Sequence, residues 1–186
     1  MSTQGQWEEQ LIAEWKSLQG YFVETNIGLT VTEKGGLNEV DILAVRIDGK
    51  SFIVEHIEVG NLGRKYSKNL AMILKKFSDE QIEAAKKYVA SRLNVAYSFK
   101  WDYRCKYIYT WGSRINDLRA AIKKKEIELL YLSDLIHINI PQALSEWRQK
   151  RVDSGLVKET NPDRIILPRK YRLLTLLDNT SRNRVV

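Results

Sequence analysis

The segments Asn38-Glu39-Val40-Asp41-Ile42-Leu43-Ala44-Val45 and Phe52-Ile53-Val54-Glu55-His56-Ile57-Glu58-Val59 each read as a buried β-strand that carries acids. Asp48-Gly49 between them is a tight-turn signal, so the two strands pair as an antiparallel hairpin. An acid inside a sheet is costly unless a cation or partner compensates it. The hairpin therefore points to a metal site.

With Asp48-Gly49 as a two-residue turn, Val45 faces Phe52, Asp41 faces His56 and Glu39 faces Glu58. Side chains alternate across a strand. Glu39, Asp41, Leu43 and Val45 then share one face with Phe52, Val54, His56 and Glu58, and Glu55 points away. In this register Asp41 and Glu58 are diagonal neighbours. A loop one residue longer reverses the faces and makes Glu55 the second acid. Like carboxylates opposite each other repel, and a divalent cation that prefers oxygen ligands, Mg²⁺ or Mn²⁺, relieves that repulsion. His56 on the same face reads as a general base, a hydrogen-bond partner of Asp41 or a satisfied core histidine.

The chain has 186 residues, with 30 Lys and Arg against 23 Asp and Glu, a net charge of +7. That length suits one domain over 1–186: a core at about 7–111, a C-terminal strand and helices at 112–178, and a frayed tail at 179–186. The basic excess suits a polyanionic partner, nucleic acid first. Cys105 is the only cysteine, which excludes an internal disulfide and a cysteine-rich zinc site and fits a cytoplasmic location. Met1 to Trp15 does not read as a signal peptide, and no stretch is apolar enough for a membrane span. Gly60-Asn61-Leu62-Gly63-Arg64-Lys65 lacks the spacing of a phosphate loop, and no Ser-His-Asp or Cys-His arrangement stands out.

Outside the hairpin, Ser2 or Thr3 caps a first helix to about Gln19, with Trp7, Leu11, Ile12, Trp15 and Leu18 as its apolar stripe. Glu8 lies within that stripe and Glu9 points further round. Gly20 ends the helix, Tyr21 to Thr25 is a strand, and Gly35-Gly36 is a break. After Val59 come a flexible basic loop, a helix at Leu70–Phe77 and a Ser78-capped helix to about Leu93. Lys106–Trp111 is a strand, Arg114–Lys124 a basic helix and Glu126–Leu132 a strand. Helices follow from Pro141 and from Pro168. This order makes a mixed central sheet flanked by helices, α/β in class. Trp101, Tyr103, Tyr107, Tyr109 and Trp111 serve as core or as platforms that stack on bases.

The order of elements, with Asp41 and Glu58 on neighbouring strands, resembles the PD-(D/E)XK nuclease superfamily, with its restriction-endonuclease-like α-β-β-β-α-β core. The resemblance covers roughly Trp7 to Trp111. It implies that Asp41 and Glu58 hold Mg²⁺ or Mn²⁺. It also implies that Glu8, on the first helix ahead of Gly20-Tyr21, joins them, as in Holliday-junction resolvases. The family lysine belongs two residues after the second acid, and Gly60 stands there. Lys65, nearest in the chain, is the first replacement, with Lys86 and Lys87 as alternatives. Glu39, Glu55 and His56 are accessory candidates. Arg64, Lys65, Lys68, Lys75 and Lys76 follow the acid strands and suit a groove that tracks phosphates. The activity implied is metal-dependent hydrolysis of phosphodiester bonds in DNA ahead of RNA, with a homodimer as one arrangement. A catalytically inactive nucleic-acid-binding module on the same fold, and a protein-interaction domain with an incidental basic surface, are the other readings.

Overall fold

A computed structural model of the chain describes residues 6–31, 37–49, 51–94 and 100–182. The proposed cap at Ser2 or Thr3 and the Gly35-Gly36 break lie outside the described residues. The elements run α1 (Gln6–Leu18), β1 (Phe22–Val31), β2 (Leu37–Asp48), β3 (Ser51–Leu62), α2 (Tyr66–Lys76), α3 (Asp79–Arg92), β4 (Lys100–Gly112), α4 (Ile115–Lys123) and β5 (Ile127–Tyr131). A short α5 (Leu132–Asp134) passes through a π-helical stretch (Leu135–Asn139) into α6 (Ile140–Asp153), and α7 (Arg172–Arg182) follows.

The five strands form one mixed sheet in chain order, β1-β2-β3-β4-β5. β1–β2 and β2–β3 are antiparallel hairpins, and β3–β4 and β4–β5 are parallel. Parallel neighbours need a crossover, and α2–α3 and α4 supply the two. Both crossovers lie on one face of the sheet. Leu43, Val45, Phe52 and Val54 pack there against Ala85 and Val89 of α3, and Tyr107 and Tyr109 lie with Ile73 of α2 and Leu118 of α4. The other face is covered by α1, α5, α6 and α7, where Leu11, Ile12 and Trp15 meet Ile42, Ile57 and Ile108.

The hairpin register differs from the expected pairing by two residues. Asp48 pairs with Ser51, Val45 with Val54 and Leu43 with His56. The turn thus falls between Asp48 and Ser51, and Asp48 belongs to the strand. Gly49 takes the left-handed conformation (φ 58°) that such turns demand at their first central position. A slip of two residues preserves side-chain parity. Asp41 and Glu58 therefore stay on one face, now on the same row rather than diagonal, and Glu55 faces away as expected.

Several boundaries also move. Trp7 is half exposed, so the buried stripe of α1 is Leu11, Ile12, Trp15 and Leu18. The tail expected to fray from Asn179 is helical through Arg182. α1 anchors that helix: the buried Glu14 carboxylate accepts the N–H groups of Leu173 and Leu174 at 2.9 and 3.0 Å. These are first-turn donors of α7 that have no partner within their own helix. Glu14→Ala is expected to lower unfolding free energy by about 1–3 kcal/mol, the cost of stranding buried donors. Chemical denaturation measures this, and an unchanged midpoint would contradict the anchoring.

Candidate functional site

The β2–β3 ladder ends at Ile42↔Ile57, although both strands continue. β2 goes on pairing with β1 as far as Leu37, and β3 goes on pairing with β4 as far as Leu62. The two strands diverge at the next row, and Asp41 and Glu58 occupy it. Asp41 fills the gap in the ladder: its Oδ2 accepts the Val59 N–H at 2.7 Å. A cavity of about 230 Å³ opens at this point, lined by Asp41, Glu58, Val59, Gly60, Asn61, Arg64, Met72, Lys76 and Tyr107.

The Lys76 ammonium reaches this cavity from the last turn of α2. It lies 2.5 Å from Glu58 Oε2 and 3.9 Å from Asp41 Oδ1, and it donates to the Glu39 carbonyl at 3.2 Å. Glu58 is 1% exposed. Its Oε2 makes no directed hydrogen bond and is held by Lys76 as an ion pair. Its Oε1 lies 3.0 Å from His56 Nε2, and His56 Nδ1 lies 2.9 Å from the Tyr103 hydroxyl. An ionised carboxylate only accepts, so Nε2–H donates to Glu58 and the Tyr103 O–H donates to Nδ1. That assignment leaves the imidazole neutral.

The electrostatics follow from burial and charge count. Burial, then the Glu58 carboxylate, pushes Asp41 up to about 7, against the pull of Lys76. Burial likewise pushes Glu58 up to about 7, again opposed by Lys76. Burial works against the Lys76 ammonium, but Glu58 and Asp41 outweigh it and its pKa rises. Burial, with Lys76 adding to it, pushes His56 down to about 3. His56 is thus a satisfied buried histidine that positions Glu58. Two carboxyl groups face one ammonium, and with both raised the pair keeps a proton near neutral pH.

The other expected residues separate cleanly. Glu55 lies on the opposite face, 2.6 Å from Lys16 and 3.0 Å from Lys106, with a hydrogen bond from Tyr21 at 3.2 Å. Lys106 also meets Glu128 at 3.5 Å, so this cluster is balanced without any further ion. A larger cavity beside it, about 540 Å³, is lined by Lys16, Glu55 and Lys106, whose charges are already paired with one another. Lys65, expected as the replacement lysine, is exposed and does not line the acid cavity, although its neighbour Arg64 does. Lys86 pairs with Glu83 at 2.9 Å and lies over the Tyr103 ring, and Lys87 is exposed. Neither lines the cavity. Of the expected phosphate-tracking residues, Arg64 and Lys76 line it, Lys75 lines an adjoining cavity with Glu39, and Lys68 is exposed. Glu8 is half-buried with its Oε2 buried and unpartnered.

Two participants are not evident from the sequence. Lys76 reads there as a groove or surface cation, although it follows Ile73 by three positions and so shares that residue's inward face. Glu9, expected to point further round, has its carboxyl raised by burial and then by Asp41, so it belongs to the field of the site.

Gly60 has a steric reason. A Cβ there would lie 2.8 Å from the Tyr107 hydroxyl, whose ring is buried. The oxygen-only donors suit Mg²⁺ or Mn²⁺, since Mg²⁺ is held by one or two carboxylates and completes its shell with water and phosphate. Among the described residues, no group of three His, Cys, Asp or Glu is arranged to hold a metal ion unaided. Also among them, no helix is long and apolar enough to cross a membrane. No protein-family model, curated protein or solved structure matches this chain.

Gly60→Ala is expected to cost about 1–3 kcal/mol by overpacking against Tyr107, read by chemical denaturation; a neutral result would mean the ring moves freely. The carboxyl pair also sets a pH dependence. The folded pair holds protons up to about pH 7, against ordinary values of 3.8 and 4.5, so its contribution to stability is lost as pH rises through 7. His56 opposes this only on the acid side, below its ordinary 6.5. The melting temperature of metal-free protein is expected to be higher near pH 6.5 than near pH 8, with a smaller difference in Asp41→Asn. Equal profiles for the two proteins would refute the coupling.

Proposed function

We propose that this chain is a Mg²⁺- or Mn²⁺-dependent nuclease of the PD-(D/E)XK kind, hydrolysing phosphodiester bonds of DNA. The observation that carries the reading is the convergence of Asp41, Glu58 and Lys76 on one cavity where β2 leaves β3. Asp41 and Glu58 are the residues that would hold the ion. When bound, it supplies a Lewis acid and lowers the pKa of its water.

The remaining roles fall to the chain itself. Lys76 takes the role of the motif lysine from α2, in place of Gly60. Its ammonium would orient water and stabilise charge growing on the phosphate. His56 stays neutral and holds Glu58 in position. Arg64, on the cavity wall, meets the phosphate backbone. The β2–β3 hairpin with α2, α3 and β4 supports the restriction-endonuclease-like core as the finer description of the mixed sheet.

One observation favours a rival. Lys76 already neutralises some of the charge on the acid pair, as it would in a nucleic-acid-binding module that has lost hydrolysis. Incubation with single-stranded, double-stranded and branched DNA, with Mg²⁺, Mn²⁺ or chelator, separates the two. Metal-dependent cleavage is expected, abolished by Asp41→Asn and lowered by about 10²–10³ in Lys76→Met, the usual loss for one preorganised donor. DNA binding without cleavage, unchanged in Asp41→Asn, would establish the rival and overturn the nuclease.

A further inference from the structure

We infer that Trp111 is a stacking platform for an unpaired nucleobase, which makes a nucleic acid with single-stranded character the preferred ligand. This rests on the function proposed above and deepens its nucleic-acid side.

Five aromatic side chains project from β4, and four of them are accounted for. Trp101 packs on Phe52, with ring centroids 5.4 Å apart. Tyr103 hydrogen-bonds His56, and Tyr107 and Tyr109 are buried. Trp111 alone is exposed, at 59%.

The exposure comes from a built feature. The β3–β4 pairing runs Gly60↔Tyr109 and then Leu62↔Gly112, so β4 carries one extra residue at Thr110–Trp111. Such bulges re-aim a side chain. The Trp111 ring is turned onto the backbone of Gly63, where a Cβ would lie only 2.3 Å from a ring carbon. Glycine at 63 is what admits the ring. The loop beneath is itself pinned, because the buried Asn69 amide donates to the Leu62 and Arg64 carbonyls, both at 2.8 Å. The indole therefore rests on a fixed surface with its outer side open to solvent.

The surroundings favour a polyanion. Arg64, next to Gly63, lines the acid cavity, and Lys65 and Lys68 are exposed at the start of α2. Trp111 lies four residues along β4 from Tyr107, which pairs with Glu58, or about 13 Å of strand. A phosphate at the cavity thus leaves a neighbouring base within reach of the indole. Bases inside a duplex have no free face to offer, whereas an unpaired base stacks regardless of its sequence.

The test is binding of fluorescein-labelled oligonucleotides to the full chain in chelator, where cleavage is absent. A single-stranded oligonucleotide, its blunt duplex and an abasic single strand of the same length serve as probes. Trp111→Ala is expected to weaken single-strand binding about fivefold or more, the lower end of what aromatic stacking contributes, and to leave duplex binding unchanged. Trp111→Phe restores most of the loss, and the abasic strand binds wild type and Trp111→Ala alike. Arg64→Ala reduces the salt dependence of binding, and Trp111→Ala does not. Unaltered single-strand affinity in Trp111→Ala, or equal losses for single strand and duplex, would overturn the inference. Trp111-dependent binding with no metal-dependent cleavage would sustain it and sink the nuclease reading instead.

Discussion

Where β2 separates from β3, a buried carboxyl group, Glu58, and a half-buried one, Asp41, face a single ammonium. Isolated charges at that depth would cost several kcal/mol each. The chain meets the cost with three groups from two elements: the Val59 N–H on Asp41 and the His56 imidazole on Glu58, both of β3, and Lys76 of α2 across both. The separation of the strands supplies the first of these, because Asp41 accepts an N–H that the ladder leaves unused. It also opens the cavity. The site is thus a consequence of where two neighbouring strands stop pairing.

The opposite face shows what a closed ion cluster looks like in the same fold. Glu55 and Glu128 are matched there by Lys16 and Lys106, so charge is balanced. At Asp41 and Glu58 two carboxyl groups share one ammonium and retain a proton near neutral pH, beside a cavity that Arg64 also lines. Under the proposed function a divalent cation would displace that proton, and oxygen-only donors fit such a cation.

Alternation along the two acid strands, taken with a two-residue turn, sorts Asp41, His56 and Glu58 from Glu55; a turn one residue longer reverses the sorting. The shifted turn does not disturb this: with Asp48 paired to Ser51, partners change by two and faces stay as they were. What lies beyond local pattern is the contribution of other elements. Lys76 enters the site because α2 packs Ile73 against the sheet, a tertiary relation that chain proximity, which favours Lys65, does not report. Glu9 joins the field of Asp41 through the docking of α1. The bulge that exposes Trp111 depends on pairing between β3 and β4, and alternate aromatics on a strand read equally well as core.

The central claim is that the two carboxylates form a shared seat for a divalent cation. Anomalous diffraction from crystals soaked in Mn²⁺ tests it most directly. The expected result is a peak bridging the Asp41 and Glu58 carboxylates, with the Lys76 ammonium moved off Glu58. An empty bridge at saturating Mn²⁺, with Lys76 still paired to Glu58, would contradict it.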